Sequence, residues 1–150
     1  MQAQDTWGMR ASGSGIYYLY ICIDKDLLIK NLNHGEDYGD PALANDAIAA
    51  IVETAAKVAP TGKQNSFASR AYTSFIMAEK GSQQPRSLSV AFMKAVRDND
   101  PMQAAFEALK GQSERFDKVY GACADERKIL NAHADESHST LEDIIAFVKG

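Results

Sequence analysis

The chain has 150 residues, of which 45% are hydrophobic and 24% charged. These proportions are typical of one soluble globular domain with a modest core. No apolar run approaches the roughly 18 to 20 residues of a membrane helix, so no membrane association is predicted. The net charge of −4 excludes a uniformly basic nucleic-acid-binding domain, and a polyanion site would therefore need a local cluster of positive charge.

The two cysteines, Cys22 and Cys123, are too few and too far apart for a disulfide framework. Both lie among apolar neighbours and are expected to be buried as reduced thiols, which predicts a cytoplasmic protein. The sequence contains no GxSxG, HExxH or CxxC motif, so neither an enzyme nor a cofactor is predicted.

The predicted elements begin after a polar, glycine- and serine-rich opening, residues 1–15, which is expected to be a flexible loop. Ile16–Ile23 is apolar on both faces, which is typical of a strand inside a sheet. A short helix is predicted over Asp24–Leu32. A longer helix has Asp40 as its cap and stops before Pro60. Its apolar stripe consists of Ala44, Ile48, Ile51, Val52 and Ala55.

Four further elements are predicted in the second half of the chain. They are a strand over Arg70–Ala78 with Tyr72 and Ile76 on one face, a short helix over Leu88–Val96, a helix over Pro101–Cys123 broken near Gly111, and a last helix. The last helix has a capping box of Ser139 with Glu142, and its apolar face contains Leu141, Ile144, Ile145 and Val148.

The order strand, helix, strand matches the second half of a ferredoxin-like βαββαβ fold. The expected class is α+β, with a partial ferredoxin-like palm over residues 16–97 and a helical segment over residues 98–150. Two strands and a helix rarely form a stable sheet alone. Either a partner chain supplies another strand, or the chain is a fragment whose first strands are missing, and the strandless opening favours the fragment.

Three stretches of the sequence carry a family resemblance. They are Ser14-Gly-Ile-Tyr-Tyr-Leu-Tyr20, Pro60-Thr-Gly-Lys-Gln-Asn-Ser-Phe-Ala68 and Arg86-Ser-Leu-Ser-Val-Ala-Phe-Met-Lys-Ala-Val96. In this order and at similar spacing they resemble the CasC family, the backbone subunit of type I-E CRISPR Cascade, over nearly the whole chain. The second stretch is the most specific, because it is similar to the family's Pro-Gly-x-Lys-Gln-x-x-x-Ala segment, with the glycine one position later here.

The resemblance implies the C-terminal portion of a longer protein, with a thumb remnant over residues 1–15 and a palm similar to an RNA-recognition motif. It also implies that copies of the protein polymerise along a guide RNA together with other Cascade subunits. Target DNA would be reached through the guide, and the subunit itself would have no nuclease activity.

The loop that follows Pro60 is the predicted RNA-binding site. Backbone N–H groups near Gly62 can approach a phosphate closely, and Lys63 supplies the opposite charge. The polar side chains that follow can bond sugar hydroxyls or base edges without demanding a sequence. These are Gln64, Asn65 and Ser66. The alternative interpretation is an ordinary solvated loop.

Further basic residues are predicted to assist this loop. The stretch 54–78 contains no acidic residue, and its basic residues are Lys57, Lys63 and Arg70. Arg97, with Lys94, ends the predicted short helix, where either a phosphate contact or complementation of the helix dipole fits. Arg10 lies at the root of the family's thumb, and the alternative there is a disordered terminus.

Several other patterns leave alternatives open. Tyr18 and Tyr20 share a strand face and could stack on bases, although core packing is favoured. His34 is the candidate for a second function, a ferredoxin-like endoribonuclease that processes guide RNA. A third reading is a strand-swapped dimer without a nucleic-acid role. The weakest pattern is a metal-ligand set made of His133, Asp135, Glu136 and His138.

Overall fold

The computed structural model describes residues 15–34, 40–58, 71–133 and 139–150. These ranges contain four α-helices, one 3₁₀ helix and two strands. They are α1 (Lys25–Leu32), α2 (Pro41–Lys57), β1 (Phe75–Lys80), a short 3₁₀ helix (Ser89–Phe92), α3 (Pro101–Tyr120), β2 (Glu126–Asn131) and α4 (Leu141–Lys149). The predicted α+β class is confirmed, whereas the ferredoxin-like topology and the division at residues 15/16 and 97/98 stay predictions.

The two strands form an antiparallel pair in which Phe75 lies opposite Asn131 and Lys80 lies opposite Glu126. Successive side chains of a strand point to opposite faces, so each face of the pair can contact a different helix. On one face the ring of Phe75 stacks on Phe106 of α3, with 5.0 Å between ring centroids. On the other face Lys80 Nζ lies 4.6 Å from the ring centroid of Phe147 in α4. The pair is therefore covered by α3 on one side and by α4 on the other.

The apolar core lies around α4, which contacts both strands and α2, while α2 in turn contacts α1. Ile144 of α4 is completely buried. The other buried apolar residues are Ala44, Ile48, Ala56, Leu88, Ala105, Phe106, Leu109 and Leu130. The predicted stripe of α2 is only partly correct, because Ala44 and Ile48 face this core while Ile51 is 42% exposed.

Each of the four α-helices begins at a side chain that accepts a backbone hydrogen bond, as the preference for Asp and Thr at helix caps leads one to expect. The capping residues are Asp24, Asp40, Asp100 and Thr140. The capping box of α4 is formed by Thr140 with Asp143, and the predicted pair of Ser139 with Glu142 is wrong by one position.

The predicted strand at Ile16–Ile23 is wrong for this structure. No main-chain hydrogen bond joins these residues to another part of the described chain, and most of their large side chains are exposed. Cys22 is also exposed and Cys123 is half-buried, so the expectation of two buried thiols is wrong. A β-branched, aromatic sequence cannot form a strand without a neighbouring strand to bond, and the described residues provide none here.

Three other elements differ from the prediction. The short helix predicted over Leu88–Val96 is reduced to the 3₁₀ helix, and α3 runs without a break through Gly111. The first described residues of the second predicted strand, Ala71–Ser74, precede β1, and Tyr72 is 74% exposed and does not face the core. The sequence analysis missed β2 completely. No helix in the described ranges is both long and apolar enough to cross a bilayer.

Candidate functional site

The predicted RNA-binding loop lies outside the described residues, but the structure shows how its two ends are held. Outside the described ranges are Gly62, Lys63, Gln64, Asn65, Ser66 and Arg70, together with Arg10. The described chain leaves α2 at Val58 and resumes at Ala71. We call the residues around these two points the loop base, defined as residues 54–58 and 71–73.

Hydrogen bonds close the loop base. The backbone N–H of Thr73 donates to the carbonyl oxygen of Ala56 at 2.9 Å, and the Thr73 hydroxyl donates to the carbonyl oxygen of Ala55 at 3.2 Å. These carbonyls belong to the last turn of α2, where main-chain acceptors have no partner within the helix. The chain therefore leaves and re-enters the framework at nearly the same place, next to the carboxyl end of α2.

The charge at the loop base is partly balanced. Lys57 Nζ lies 2.7 Å from Glu53 Oε1 one helical turn earlier. The hydrogen bond between them raises the pKa of Lys57 and lowers the pKa of Glu53. Both side chains are exposed, so water and salt screen the pair strongly. Because Lys57 already has a counter-ion, the net positive charge of the acid-free stretch depends on Lys63 and Arg70.

An exposed aromatic residue at the loop base was missed by the sequence analysis. Tyr72 was expected on one face of a strand together with Ile76, yet it precedes β1, is 74% exposed and lies close enough to Lys57 to affect its pKa. The polar pair Thr73-Ser74 interrupts the apolar pattern after this tyrosine, and this interruption was the signal in the sequence. An exposed ring next to a basic loop could stack on a nucleic-acid base.

Arg97 and Lys94 do not end a helix. The 3₁₀ helix stops at Phe92, so both basic residues lie on an irregular connection to α3, and both are exposed. Of the two alternatives for these residues, complementation of a helix dipole is therefore wrong, whereas the phosphate contact stays a prediction. Within the described ranges Arg97 makes no hydrogen bond or ion pair, which leaves its charge available to a ligand.

Tyr18 is a packing residue in the structure, as the sequence analysis favoured. Its hydroxyl accepts a hydrogen bond from the backbone N–H of Leu88 at 3.1 Å, and its ring lies 5.5 Å from that of Phe92. Tyr20 remains 43% exposed, and burial of part of its ring, together with the neighbouring Cys22 thiol, raises the pKa of its hydroxyl. The two rings are therefore not equivalent members of a stacking platform.

A cluster of four charged residues, which the sequence analysis did not predict, joins both strands to α3. We call Glu79, Arg86, Asp117 and Arg127 the charge cluster. The Asp117 carboxylate accepts from Arg86 Nη2 at 2.6 Å and from Arg127 Nη2 at 2.8 Å. Arg127 Nε donates to Glu79 Oε1 at 2.6 Å. Two positive and two negative groups balance, so the charge cluster has no attraction for a polyanion and acts as a structural clamp.

Two further candidates, His133 and His34, lie in the described part of the chain. His133 Nε2 lies 3.0 Å from Asp100 Oδ2, and this hydrogen bond is the main reason why the pKa of Asp100 is lowered. The other members of its predicted metal-ligand set lie outside the described ranges, within which no group of three metal-binding side chains occurs. His34 is exposed at the carboxyl end of α1 with a left-handed φ of 58°, which histidine tolerates better than most residues.

Comparison with known protein families identifies the class: the chain is a CRISPR-associated protein. It belongs to the CT1975-like protein family, whose model matches residues 3–146. No curated protein matches the chain. The match includes the loop sequence and the charge cluster and ends inside α4, so it covers all but the last four of the described residues.

Proposed function

We propose that this chain is the C-terminal portion of a guide-RNA-binding backbone subunit, of the type I-E CasC kind, in a CRISPR surveillance complex. In this proposal the protein is non-catalytic and lies along the guide RNA with copies of itself and with other Cascade subunits. Target DNA is read by base pairing with the guide and not by protein side chains. Membership of a CRISPR-associated family supports the proposal at its coarsest level.

The observation that supports the proposal most directly is the closed loop base. The hydrogen bond from Thr73 to Ala56 holds the two ends of the loop together beside the carboxyl end of α2. The stretch between them contains Lys63 and Arg70 and no acidic residue. A short basic stretch of sequence whose two ends are fixed at one place suits contact with a phosphate backbone of any sequence.

The chemistry of the proposed contact is independent of sequence. Lys63 would neutralise a phosphate, while backbone N–H groups near Gly62 would donate to its oxygens. The side chains of Gln64, Asn65 and Ser66 would bond the ribose 2′-hydroxyl or base edges. Arg97 and Arg10 would add charge without fixing the register. A protein that must hold any spacer needs this kind of contact.

Lys63→Ala tests the proposal. Because one phosphate contact is lost, we expect weaker binding of single-stranded RNA, to the same extent for unrelated sequences. We also expect a fall of about 0.7 in the slope of log affinity against log salt concentration. The measurement is fluorescence anisotropy of labelled RNA at several salt concentrations.

Lys110→Ala is the matched control, because it removes the same charge from an exposed position on α3. The control is expected to keep the wild-type salt slope. Equal slopes for Lys63→Ala and wild type, or an equal loss in Lys110→Ala, would contradict the assignment of the loop.

A further inference from the structure

A pocket of about 370 Å³ opens between the segment after β1 and the carboxyl end of α3. It is built from elements other than the loop base, so it is a second candidate site. Its lining includes Gln83, Gln84, Arg86, Phe116, Tyr120 and Cys123.

Three contacts hold the two walls of the pocket together. A Cβ at Gly81 would lie 3.0 Å from the carbonyl oxygen of Cys123, so glycine fits between the two segments without displacing the backbone opposite it. The Cys123 thiol donates to the carbonyl oxygen of Gln84 at 3.3 Å. The ion pair of Arg86 with Asp117 joins the same wall to α3. The pocket is therefore part of the folded framework.

The polar side chains of Gln83, Gln84 and Tyr120 line the pocket and take no part in these contacts. The amides of Gln83 and Gln84 and the hydroxyl of Tyr120 have no hydrogen-bond partner in the described part of the chain. The Tyr120 ring is 83% exposed, and it meets the Phe116 ring edge-on, with 6.0 Å between centroids. Fixed walls with uncommitted polar and aromatic side chains are typical of a binding site.

The charge of the pocket favours an uncharged ligand. Among the described residues that line it none is acidic, and the one basic residue, Arg86, is neutralised by the carboxylates of Asp117 and Glu79. An exposed ring face favours a planar partner. A primary amide donates and accepts at the same time, which matches the mixed donor and acceptor edge of a nucleobase.

We propose that this pocket binds one unpaired base of RNA, stacked on Tyr120 and bonded at its edge by Gln83 or Gln84. The inference rests on the proposed function, because that function supplies the RNA. A base within a duplex has both faces stacked and its pairing edge occupied, so only an unpaired base can enter. The pocket would thus recognise single-stranded RNA independently of the charge at Lys63.

The test compares an RNA oligonucleotide with an abasic oligonucleotide of the same length, using wild type, Tyr120→Ala, Tyr120→Phe and Tyr17→Ala. Because Tyr120→Ala removes the ring on which one base stacks, we expect this variant to bind RNA about 5- to 100-fold more weakly than wild type. The slope of log affinity against log salt concentration should not change, because no charge is removed. Binding of the abasic oligonucleotide is expected to be unaffected. Tyr120→Phe keeps the ring and should retain most of the affinity.

Tyr17→Ala is the control for removal of an exposed ring, because Tyr17 is 89% exposed and lies outside the pocket. Two results would contradict the proposed base-binding role of the pocket. In the first, Tyr120→Ala and Tyr17→Ala bind RNA equally well. In the second, Tyr120→Ala weakens binding of the abasic oligonucleotide as much as binding of the normal one. If either result is obtained while Lys63→Ala still weakens RNA binding as expected, the proposed function is retained and only the pocket proposal is rejected. If Tyr120→Ala weakens RNA binding and Lys63→Ala does not, the results support the pocket proposal and contradict the loop assignment. If the wild-type protein does not bind RNA, both proposals are contradicted.

Discussion

Asp143 has two roles at the start of α4. Its carboxylate accepts from the backbone N–H of Thr140 at 2.8 Å and from the Thr140 hydroxyl at 2.9 Å. It also places a negative charge in the first turn, where the helix dipole favours one. These bonds to the backbone and hydroxyl of Thr140 lower the pKa of the Asp143 carboxyl below its ordinary value of 3.8. The ionised form is thus the one that stabilises the helix start.

The lowered pKa of Asp143 predicts how its contribution to stability depends on pH. A carboxyl group with a lowered pKa in the folded state stabilises that state above the unfolded pKa and loses this effect as the pH falls through the folded pKa. We therefore expect wild type to unfold at a higher temperature than Asp143→Asn at pH 7. The difference should shrink as the pH falls below about 4. Thermal unfolding followed by circular dichroism measures it, and a difference that stays constant down to pH 2 would contradict the prediction.

At the same scale, the site residues differ in how far the sequence could predict them. The loop around Lys63 is a local pattern of neighbouring residues, so a sequence can suggest it. The charge cluster is different, because Arg86 and Asp117 meet only after β1, β2 and α3 have assembled. No local spacing marks such a group. Tyr120 is likewise one more apolar position on a helix until the opposite wall of the pocket is known.

Among the elements, α4 has the most neighbours of different kinds, since it contacts α2 and both strands. Its central residue, Ile144, has no exposed surface. Lys128 of β2 lies 3.8 Å from Asp143, and Lys149 lies 2.8 Å from Asp46 of α2. These exposed ion pairs contribute little to stability. Apolar burial around Ile144 is therefore the main interaction that holds α4 in place.

Ile144→Ala is expected to lower the free energy of unfolding by about 2–5 kcal/mol, because it removes buried methyl groups and leaves a cavity. Ile51→Ala makes the same chemical change at a position of α2 that is 42% exposed, and it should cost much less. Urea denaturation of both variants measures the two values. Similar losses would mean that Ile51 is covered in solution by something that contacts this face of α2.

The helices were predicted better than the strands, for physical reasons. Helix starts depend on local caps such as Asp40 and Asp100, which a sequence displays directly. α3 continues through Gly111 because burial of apolar side chains on the same helix, Phe106 and Leu109, outweighs the cost of about 1 kcal/mol for a helical glycine. β2 begins with three charged residues in a row and was missed. Its pairing with β1 becomes evident only when Arg127 is seen opposite Glu79.

At the scale of the whole molecule, residues 16–21 are its most unusual surface. The exposed large side chains in this segment are Ile16, Tyr17, Leu19, Tyr20 and Ile21. The main-chain groups of these residues form no hydrogen bond with other main-chain groups in the described ranges. A β-prone segment without a paired neighbour is a template for another strand. This explains why the sequence read as a buried strand: its composition suits a sheet larger than the β1–β2 pair.

The double substitution Leu19→Ser with Ile21→Ser tests that description. Because both side chains are exposed, the unfolding temperature should change little, while concentration-dependent association should decrease. Light scattering after size-exclusion chromatography measures the association. A large loss of thermal stability would show that the segment is buried in solution. A discrete dimer in wild type that becomes a monomer in the variant would favour the strand-swapped alternative.

The closed loop base has a consequence for how this family can diversify. Because the hydrogen bond between Ala56 and Thr73 fixes both ends of the stretch between Val58 and Ala71, changes within that stretch need not move its ends. Its length affects folding mainly through closure entropy, which costs only about 0.6 kcal/mol for each doubling. Insertions and replacements between these two residues can therefore be accommodated without changing the helices and strands. We therefore expect changes in chain length to be tolerated better between Val58 and Ala71 than within the helices and strands.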